Sequence, residues 1–283
     1  MHDLAARGAP LEYWFFRTEV GDLRLLVDLI VRRADATVET RVACTIGDDA
    51  TVSHDVQAMS TPLPEGVANA SASIGPRRTT GDSGPVSWDL SIDLGEHRIQ
   101  PVPGSLASLR ALDMLLVSRP AATFAGTVTA GERTWAVEGA PGMVAHYWGR
   151  ALAPEWCWVS VVGEPGQPRL EAAVLRSTLW GARPWIVGGY AWFWSGREAD
   201  EPEMFAMPSN GSRLRRRREQ HSVVVDAARG RRRETFSASA DAGTFVPFGD
   251  SIRNSQRAVV RWRGSELPGS LEFRDLERRQ PSR

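Results

Sequence analysis

Short strand-like segments separated by turn residues run through almost the whole chain, and this pattern most constrains the fold. Residues 87–94 alternate polar and apolar side chains, which is typical of a strand with one buried face. A turn at Gly21 and Asp22 separates the segments Leu11 to Thr18 and Leu23 to Arg32, both rich in strand-forming residues, so they predict a hairpin. No strand–helix–strand alternation is present, which excludes Rossmann, P-loop and TIM-barrel folds. We therefore predict an all-β protein, a barrel or a sandwich, with residues 106–116 as its one good helix candidate.

The length of 283 residues fits two domains of roughly 150 residues each. The stretch 62–85 is rich in Gly, Pro, Ser and Thr, and it predicts a long loop inside the first half. A Gly-Ala-Pro-Gly segment at 139–142 is the best candidate for a domain boundary. The predicted domains are therefore residues 1–140 and 141–283.

The charge balance excludes several classes of partner. Basic and acidic residues number 34 each, which argues against a globally basic nucleic-acid binder and against strong attraction to an anionic membrane. All the basic residues are Arg, so Schiff-base chemistry on Lys is excluded. The segment Leu23 to Val31 is too short and too charged to span a bilayer, and the first ten residues lack a signal-peptide pattern. We expect a cytoplasmic protein with no nucleic-acid partner and no stable membrane insertion.

One local cluster of charge needs a separate interpretation. Residues 213–233 contain nine Arg and two acidic residues, and they flank a turn at 227–230. No aromatic residues are interleaved for stacking on bases. The pattern favours an exposed hairpin, with an anionic or carboxylate-bearing ligand as the alternative.

The Cys and His residues predict no metal centre. Cys44 and Cys157 lack metal or redox spacing, and buried reduced thiols are the simplest interpretation. The five His residues form no His-x-x-x-His pair. We predict no metal and no cofactor.

Tryptophan is in excess, and its distribution is uneven. Eight of the eleven Trp fall within residues 135–194. A cluster of this density is typical either of a β-sheet core or of an aromatic cavity for an apolar ligand. The sequence leaves both alternatives open.

Two segments carry a resemblance to a known family. The first is the opening Leu-Glu-Tyr-Trp-Phe-Phe at 11–16, followed by an apolar strand at 27–33. The second is Ala-His-Tyr-Trp-Gly-Arg at 145–150, followed by Trp-Cys-Trp at 156–158. Together they resemble the two-domain lipocalin-like superfamily of carotenoid 1,2-hydratase (hydroxyneurosporene synthase), tocopherol cyclase-like proteins and decalin-forming Diels–Alderases.

That family has an aromatic Glu-Trp-Trp-Tyr-like opening strand and a mid-chain Asp-His-x-Trp-Gly strand leading to Trp-x-Trp. Here Ala145 replaces the Asp, and Tyr13 and Phe15 stand where Trp and Tyr are commoner. The resemblance implies two packed lipocalin-like β-barrels that bind a lipophilic polyene or polyketide in a barrel or at the domain junction.

The matched strands supply the candidate site residues. Alternate residues of a strand share a face, so His146, Trp148 and Arg150 point one way. His146 is the candidate acid–base group, Trp148 offers a cation–π face, and Arg150 could hold a carbonyl or carboxylate. The alternative is a sheet core in which His146 is bonded to a carbonyl. The remaining candidate substrate-binding residues are aromatic: Tyr13, Trp14, Trp156, Trp158, Tyr190, Trp192 and Trp194.

Two carboxyl groups are further catalytic candidates. Asp28 lies in an apolar strand, where burial would raise its pKa and allow it to act as a general acid. The alternative is a solvent-facing position or an ion pair with Arg. Glu12 lies beside the opening aromatics, and a strand-end salt bridge is its simplest interpretation.

The leading hypothesis is a cofactor-free cyclase of specialised metabolism, in the isomerase or lyase class. It would bind a lipophilic polyene or polyketide-like substrate and promote intramolecular cyclisation, of Diels–Alder or cationic type, mainly by restraining the substrate. The alternatives are a non-catalytic lipocalin-like carrier of an apolar small molecule and a carotenoid-type hydratase that uses Asp28 or Glu12 as its acid.

Overall fold

The computed structural model describes residues 9–59, 66–102, 114–179, 182–197, 199–207, 210–248 and 251–275. Within these ranges the chain forms twenty β-strands, one 3-10 turn at Ala242–Thr244 and no α-helix. The all-β prediction is therefore confirmed. Most of the helix candidate at 106–116 lies outside the described residues, and its last three residues begin a strand. No helix in the described ranges is long and apolar enough to cross a membrane.

The first half of the chain forms one antiparallel sheet of ten strands. Its order is β4-β3-β2-β1-β10-β9-β8-β7-β6-β5. The strands are β1 (Leu11–Val20), β2 (Leu23–Arg32), β3 (Thr37–Ile46), β4 (Asp49–Ala58), β5 (Val67–Ala68), β6 (Ala72–Ile74), β7 (Arg78–Ser83), β8 (Val86–Asp93), β9 (Met114–Ala130) and β10 (Arg133–Gly149).

The second half forms a second antiparallel sheet. Its order is β14-β13-β12-β11-β20-β19-β17-β16-β15, and β18 pairs with β19 beside this path. The strands are β11 (Glu155–Val161), β12 (Arg169–Leu179), β13 (Ala182–Trp194), β14 (Glu203–Met207), β15 (Arg213–Arg218), β16 (Ser222–Arg229), β17 (Arg232–Ser239), β18 (Val246–Pro247), β19 (Ile252–Trp262) and β20 (Ser265–Asp275).

The two sheets repeat one topology. In each half the first strand pairs with the last, β1 with β10 and β11 with β20. The strands at the two ends of each sheet are consecutive in the chain, β4 with β5 and β14 with β15. In the second sheet the two end strands, β14 and β15, contact each other, and in the first sheet the end strands contact strands across the sheet, β5 with β2 and β4 with β7. Each sheet therefore curls into a nearly closed barrel-like domain.

Several local expectations need comment. The predicted loop at 62–85 is wrong in part, because β5, β6 and β7 form there. These strands are short, and their Gly, Ser and Thr residues alternate too weakly to be recognised. The Arg-rich segment forms the sheet-end strand β15 and the β16–β17 hairpin. The first sheet ends at Gly149 and the second begins at Glu155, so a division after residue 140 falls inside β10; the domain limits stay a prediction.

The apolar core has three main parts. One fills the first barrel and includes Trp14 and Phe124, and another fills the second barrel and includes Phe193 and Trp262. The third lies between the sheets and joins residues of β1, β2 and β10 to residues of β11, β12 and β13. The first eight residues of β1 are buried on both faces, because one face lines the barrel and the other meets the second sheet.

Close backbone approach inside the second barrel depends on one glycine. Gly189 on β13 has φ of +151°, and a Cβ there would lie 2.1 Å from the carbonyl oxygen of Ala173. Only glycine combines this conformation with this spacing.

Polar side chains tie the two sheets together. Arg17 donates to Ser160 Oγ at 2.8 Å, and Gln256 donates to the carbonyl oxygen of Ala43 at 2.8 Å. Arg41 donates to the carbonyl oxygen of Phe248 at 3.0 Å. All three donors are buried. These bonds hold the junction between the sheets in one arrangement.

Candidate functional site at the junction of the two sheets

Aromatic rings from both sheets meet at the junction. Tyr13 of β1 and Tyr147 of β10 stack with their centroids 5.7 Å apart. Phe15 stacks on Tyr147 at 5.6 Å and meets Trp158 of β11 edge-on at 5.6 Å. These contacts arise because odd-numbered residues of β1 and β10 share the face that meets the second sheet. Such offset and edge-on pairs are the favourable geometries for aromatic rings.

A small, largely apolar cavity lies among these rings. Its volume is about 30 Å³, which is enough to admit water. The predicted aromatic cavity is thus present only as a small void. A polyene could enter it only if side chains moved. The lining residues are Tyr13, Phe15, Leu26, Asp28, Tyr147, Trp156, Trp158, Ala173, Leu175 and Glu272.

Two buried carboxyl groups, one from each sheet, line this cavity. Asp28 on β2 is fully buried and accepts a hydrogen bond from the Tyr13 hydroxyl at 2.5 Å. Its other oxygen, Oδ1, has no hydrogen-bond partner among the described residues. Burial raises the pKa of Asp28 well above its ordinary value, and the charge of Glu272 raises it further.

Glu272 on β20 is the second carboxyl group. It accepts hydrogen bonds from Trp156 Nε1 at 2.8 Å and from Asn254 Nδ2 at 3.1 Å. Burial raises its pKa, while these two donors and the charge of Arg41 oppose the rise. The pKa of Asp28 is therefore raised further than that of Glu272, so Asp28 is the member of the pair that holds its proton to higher pH.

A third buried carboxyl group lies further along the junction. Glu171 on β12 accepts hydrogen bonds from Ser118 Oγ at 2.7 Å and from the Tyr190 hydroxyl. Burial raises its pKa to about 7, against the effect of these donors. Glu171 can thus exchange a proton near neutral pH.

The structure brings together four of the residues that the sequence singled out. Asp28, Tyr13, Trp156 and Trp158 all line the cavity. Tyr190 and Trp192 lie in the same apolar cluster between the sheets. Trp194 packs at the margin of this cluster, and Arg150 is exposed at the end of β10.

The remaining candidates lie on the opposite face of β1 and β10. His146 stacks on Trp14 with centroids 3.7 Å apart and lies 5.0 Å from the Trp148 ring. All three rings are buried, and none of them lines the cavity. The strand alternation that groups them also turns them away from Tyr13 and Tyr147.

Glu12 belongs to this second group. Its Oε2 is 3.3 Å from His146 Nε2, and it also pairs with Arg33. Burial would raise its pKa, but His146 and Arg33 outweigh burial and lower the pKa to about 2. Glu12 is therefore ionised at neutral pH and has no proton to donate there.

Sequence reasoning missed Glu272, Glu171 and Tyr147. Both glutamates carry the feature that singled out Asp28, a carboxyl group inside an apolar strand, in Leu-Glu-Phe and Leu-Glu-Ala. Tyr147 lies inside the quoted motif, on the face that was not chosen. Among the described residues, no group of three or more His, Cys, Asp and Glu is placed to hold a metal ion.

Comparison with known proteins identifies relatives by fold only. No protein-family model matches the chain, and no curated protein matches it by sequence. Among solved structures, a candidate AttH protein from Nitrosomonas europaea matches with a TM-score of 0.62 and 13% identity, over 94% of this chain and 93% of that one. Kievitone hydratase from Nectria haematococca matches with a TM-score of 0.61 and 11% identity, over 97% and 93%.

A third similar structure contains a small molecule. CghA with Sch210972 matches with a TM-score of 0.61 and 13% identity, over 95% of this chain and 89% of that one. These similarities cover nearly the whole of each chain, so they include both barrels and their arrangement. At 11–13% identity, they show that the chain shares the fold of these proteins.

Proposed function

We propose that the protein is an enzyme that binds a lipophilic unsaturated substrate between the two sheets and promotes its intramolecular cyclisation. The observation that carries this proposal is the buried pair Asp28 and Glu272 in a cavity walled by aromatic rings. A carboxyl group that keeps its proton at neutral pH can donate to an alkene or a carbonyl. The solved structures of kievitone hydratase and of CghA with Sch210972 support a fold that accommodates organic substrates.

The proposed cationic reaction returns a proton to Asp28 in place of the one that it takes from it. In a cationic cyclisation, Asp28 gives its proton to one alkene carbon, and a second double bond attacks the cation that forms. The resulting ring cation loses a proton from the adjacent carbon to the Asp28 carboxylate, so the product is an isomer of the substrate. The rings of Trp156 and Trp158 stabilise the passing positive charge by cation–π contact. In a Diels–Alder reaction, Asp28 would only hydrogen-bond to a substrate carbonyl and lower its electron density.

A hydratase is the second candidate, and the presence of two carboxyl groups in one cavity favours it. Asp28 and Glu272 both line the cavity, and the pKa of Asp28 is raised further, so they could serve as acid and base. Asp28 would protonate the alkene and Glu272 would take a proton from the attacking water, which adds one water to the substrate.

Turnover of a panel of polyenes and polyketide-like trienes, followed by mass spectrometry, tests the proposal. We expect a product of unchanged mass, and Asp28→Asn should lower the rate by about 10²-fold or more if the proton is transferred. Asp89→Asn is the matched control, because Asp89 lies on β8 in an exposed pair with Arg78.

The remaining outcomes are distinct. If Asp28→Asn retains turnover but Asp28→Leu loses it, the group acts as a hydrogen-bond donor, as a Diels–Alder reaction requires. A product heavier than the substrate by one water would show that the reaction is hydration and not cyclisation. Tight binding with no change in any compound would refute an enzyme and leave a carrier.

A further inference from the structure

A buried arginine, Arg169, lies at the start of β12. Arg169 is only 4% exposed, and its buried Nε has no hydrogen-bond partner among the residues that the structure describes. Charged groups are rarely buried unless they are paired, since their loss of hydration is costly. Burial accordingly lowers the pKa of Arg169, and the charge of Glu164 offsets this only in part. Among the described residues, Arg169 is thus a largely buried cation whose burial is only partly offset by a neighbouring carboxylate.

The surroundings hold this guanidinium in place. Its Cζ lies 5.7 Å from the ring centroid of Trp194. The ring of His97, from the first half of the chain, lies 4.9 Å from Trp194 and 5.7 Å from Trp192. The aliphatic stem is enclosed as well, because a Cβ on Gly163 would lie 3.3 Å from Arg169 Cγ. The charge is therefore framed by aromatic rings at the edge of the junction.

The strand geometry relates Arg169 to the cavity. Arg169, Glu171, Ala173 and Leu175 alternate along β12 and share the face that meets the first sheet. Ala173 and Leu175 line the cavity. At about 3.3 Å per residue, Arg169 lies about 13 Å along the strand from Ala173. Between them, Glu171 is bound to Ser118 and Tyr190, so it does not neutralise Arg169.

We propose that Arg169, His97 and Trp194 form a subsite for the anionic end of the substrate. The ligand class is an elongated lipophilic acid, with a carboxylate or an enolate at Arg169 and its reacting double bonds near Asp28. A guanidinium binds a carboxylate through paired, charge-assisted hydrogen bonds, and water exclusion strengthens them. His97 adds a ring nitrogen, and burial lowers its pKa, so it is neutral at pH 7 and can accept or donate. One part of this assignment, the placement of the reacting double bonds near Asp28, rests on the proposed function; the binding of the anionic end at Arg169 does not.

The test compares a charged ligand with its neutral counterpart. The probes are cis-parinaric acid, a fluorescent polyene acid, and its methyl ester, each titrated into the intact protein. We expect the wild type to bind the acid at least about 10-fold more tightly than the ester. Arg169→Met should reduce this ratio to about twofold or less. Arg176→Met is the matched control, since Arg176 lies on the same strand but on the opposite face and is exposed.

Thermal stability gives a second, ligand-free measurement. If Arg169 is retained for binding, Arg169→Met removes a largely buried charge and should raise the melting temperature by about 2 °C or more. A fall in melting temperature would mean that the contact with Trp194 is structural, and it would overturn the proposal. Equal affinity of the wild type for acid and ester, or absence of binding to both, would also overturn it.

These results separate the two proposals. If Asp28→Asn loses turnover but the wild type shows no preference for the acid over the ester, the subsite is refuted and the proposed reaction is supported. If the wild type prefers the acid, Arg169→Met loses this preference and no compound is turned over, the subsite is supported and the protein is a carrier, not an enzyme.

Discussion

Glu171 should make the protein less stable as pH rises through neutrality. Its carboxyl group is buried, and burial raises its pKa from 4.5 to about 7. The folded protein therefore keeps a proton at pH values where the unfolded chain has released it. This group's contribution to stability is fully present below about pH 4.5 and is lost as pH rises to about 7. The difference between the two pKa values corresponds to about 3 kcal/mol of unfolding free energy.

The variant Glu171→Gln isolates this contribution. Glutamine keeps the shape, does not titrate, and offers an oxygen to one of the two hydroxyl groups, Ser118 or Tyr190, while its NH2 group can donate to the oxygen of the other. Urea unfolding at pH 4.5 and pH 8 gives the free energy of each protein. We expect the variant to gain about 3 kcal/mol relative to the wild type between these two pH values.

The control is Glu12→Gln, at a carboxyl group whose pKa moves in the opposite direction. The pKa of Glu12 is lowered to about 2, so its contribution to stability is present above pH 4.5 and is lost only as pH falls towards 2. The stability difference between Glu12→Gln and the wild type should then be the same at pH 4.5 and pH 8. If Glu171→Gln also shows a constant difference, Glu171 ionises normally and the reasoning from burial is wrong.

Two further predictions concern the backbone and the thiols. Gly189→Ala should lower stability by about 3 kcal/mol or more in thermal unfolding, because its Cβ would meet the Ala173 carbonyl oxygen at 2.1 Å. Gly131→Ala, at φ +59° with no atom within 4 Å, should cost only about 1–2 kcal/mol, and equal losses would contradict the explanation. Burial raises the pKa of Cys44 to about 11 and of Cys157 to about 12, so neither should react with Ellman's reagent at pH 8 until the chain unfolds; rapid labelling of the folded protein would show that a thiol is accessible.

The strands could be predicted because their pattern is local. The segment Leu23–Arg32 has the bounds of β2, and the alternation at 87–94 differs from β8 by one residue at each end. Each hairpin is encoded within about twenty residues by turn chemistry and by alternation. Local encoding also explains the failure at 62–85, where the strands are short and weakly alternating.

The site could be predicted only in part, because alternation does not say which face meets which partner. On β10 it groups His146 with Trp148 and separates both from Tyr147, but both faces are buried. The cavity lies on the Tyr147 face, a choice made by the docking of the second sheet. Asp28 was recognisable as a carboxyl group in an apolar strand, whereas its pairing with Glu272 depends on contact between opposite ends of the chain.

Both halves of the chain have the same strand order, and this bears on how the junction would orient a substrate of the proposed kind. Phe15 on β1 and Trp158 on β11 occupy matching places in the two halves, and they touch each other. Their ladder neighbours on the next strand are Asp28 in the first half and Ala173 in the second. Because the two halves share one strand order, that order by itself gives no basis for preferring one orientation of a substrate of the proposed kind. Under the proposed function, the direction of binding, and with it the stereochemistry of the ring, would depend on such unmatched side-chain pairs.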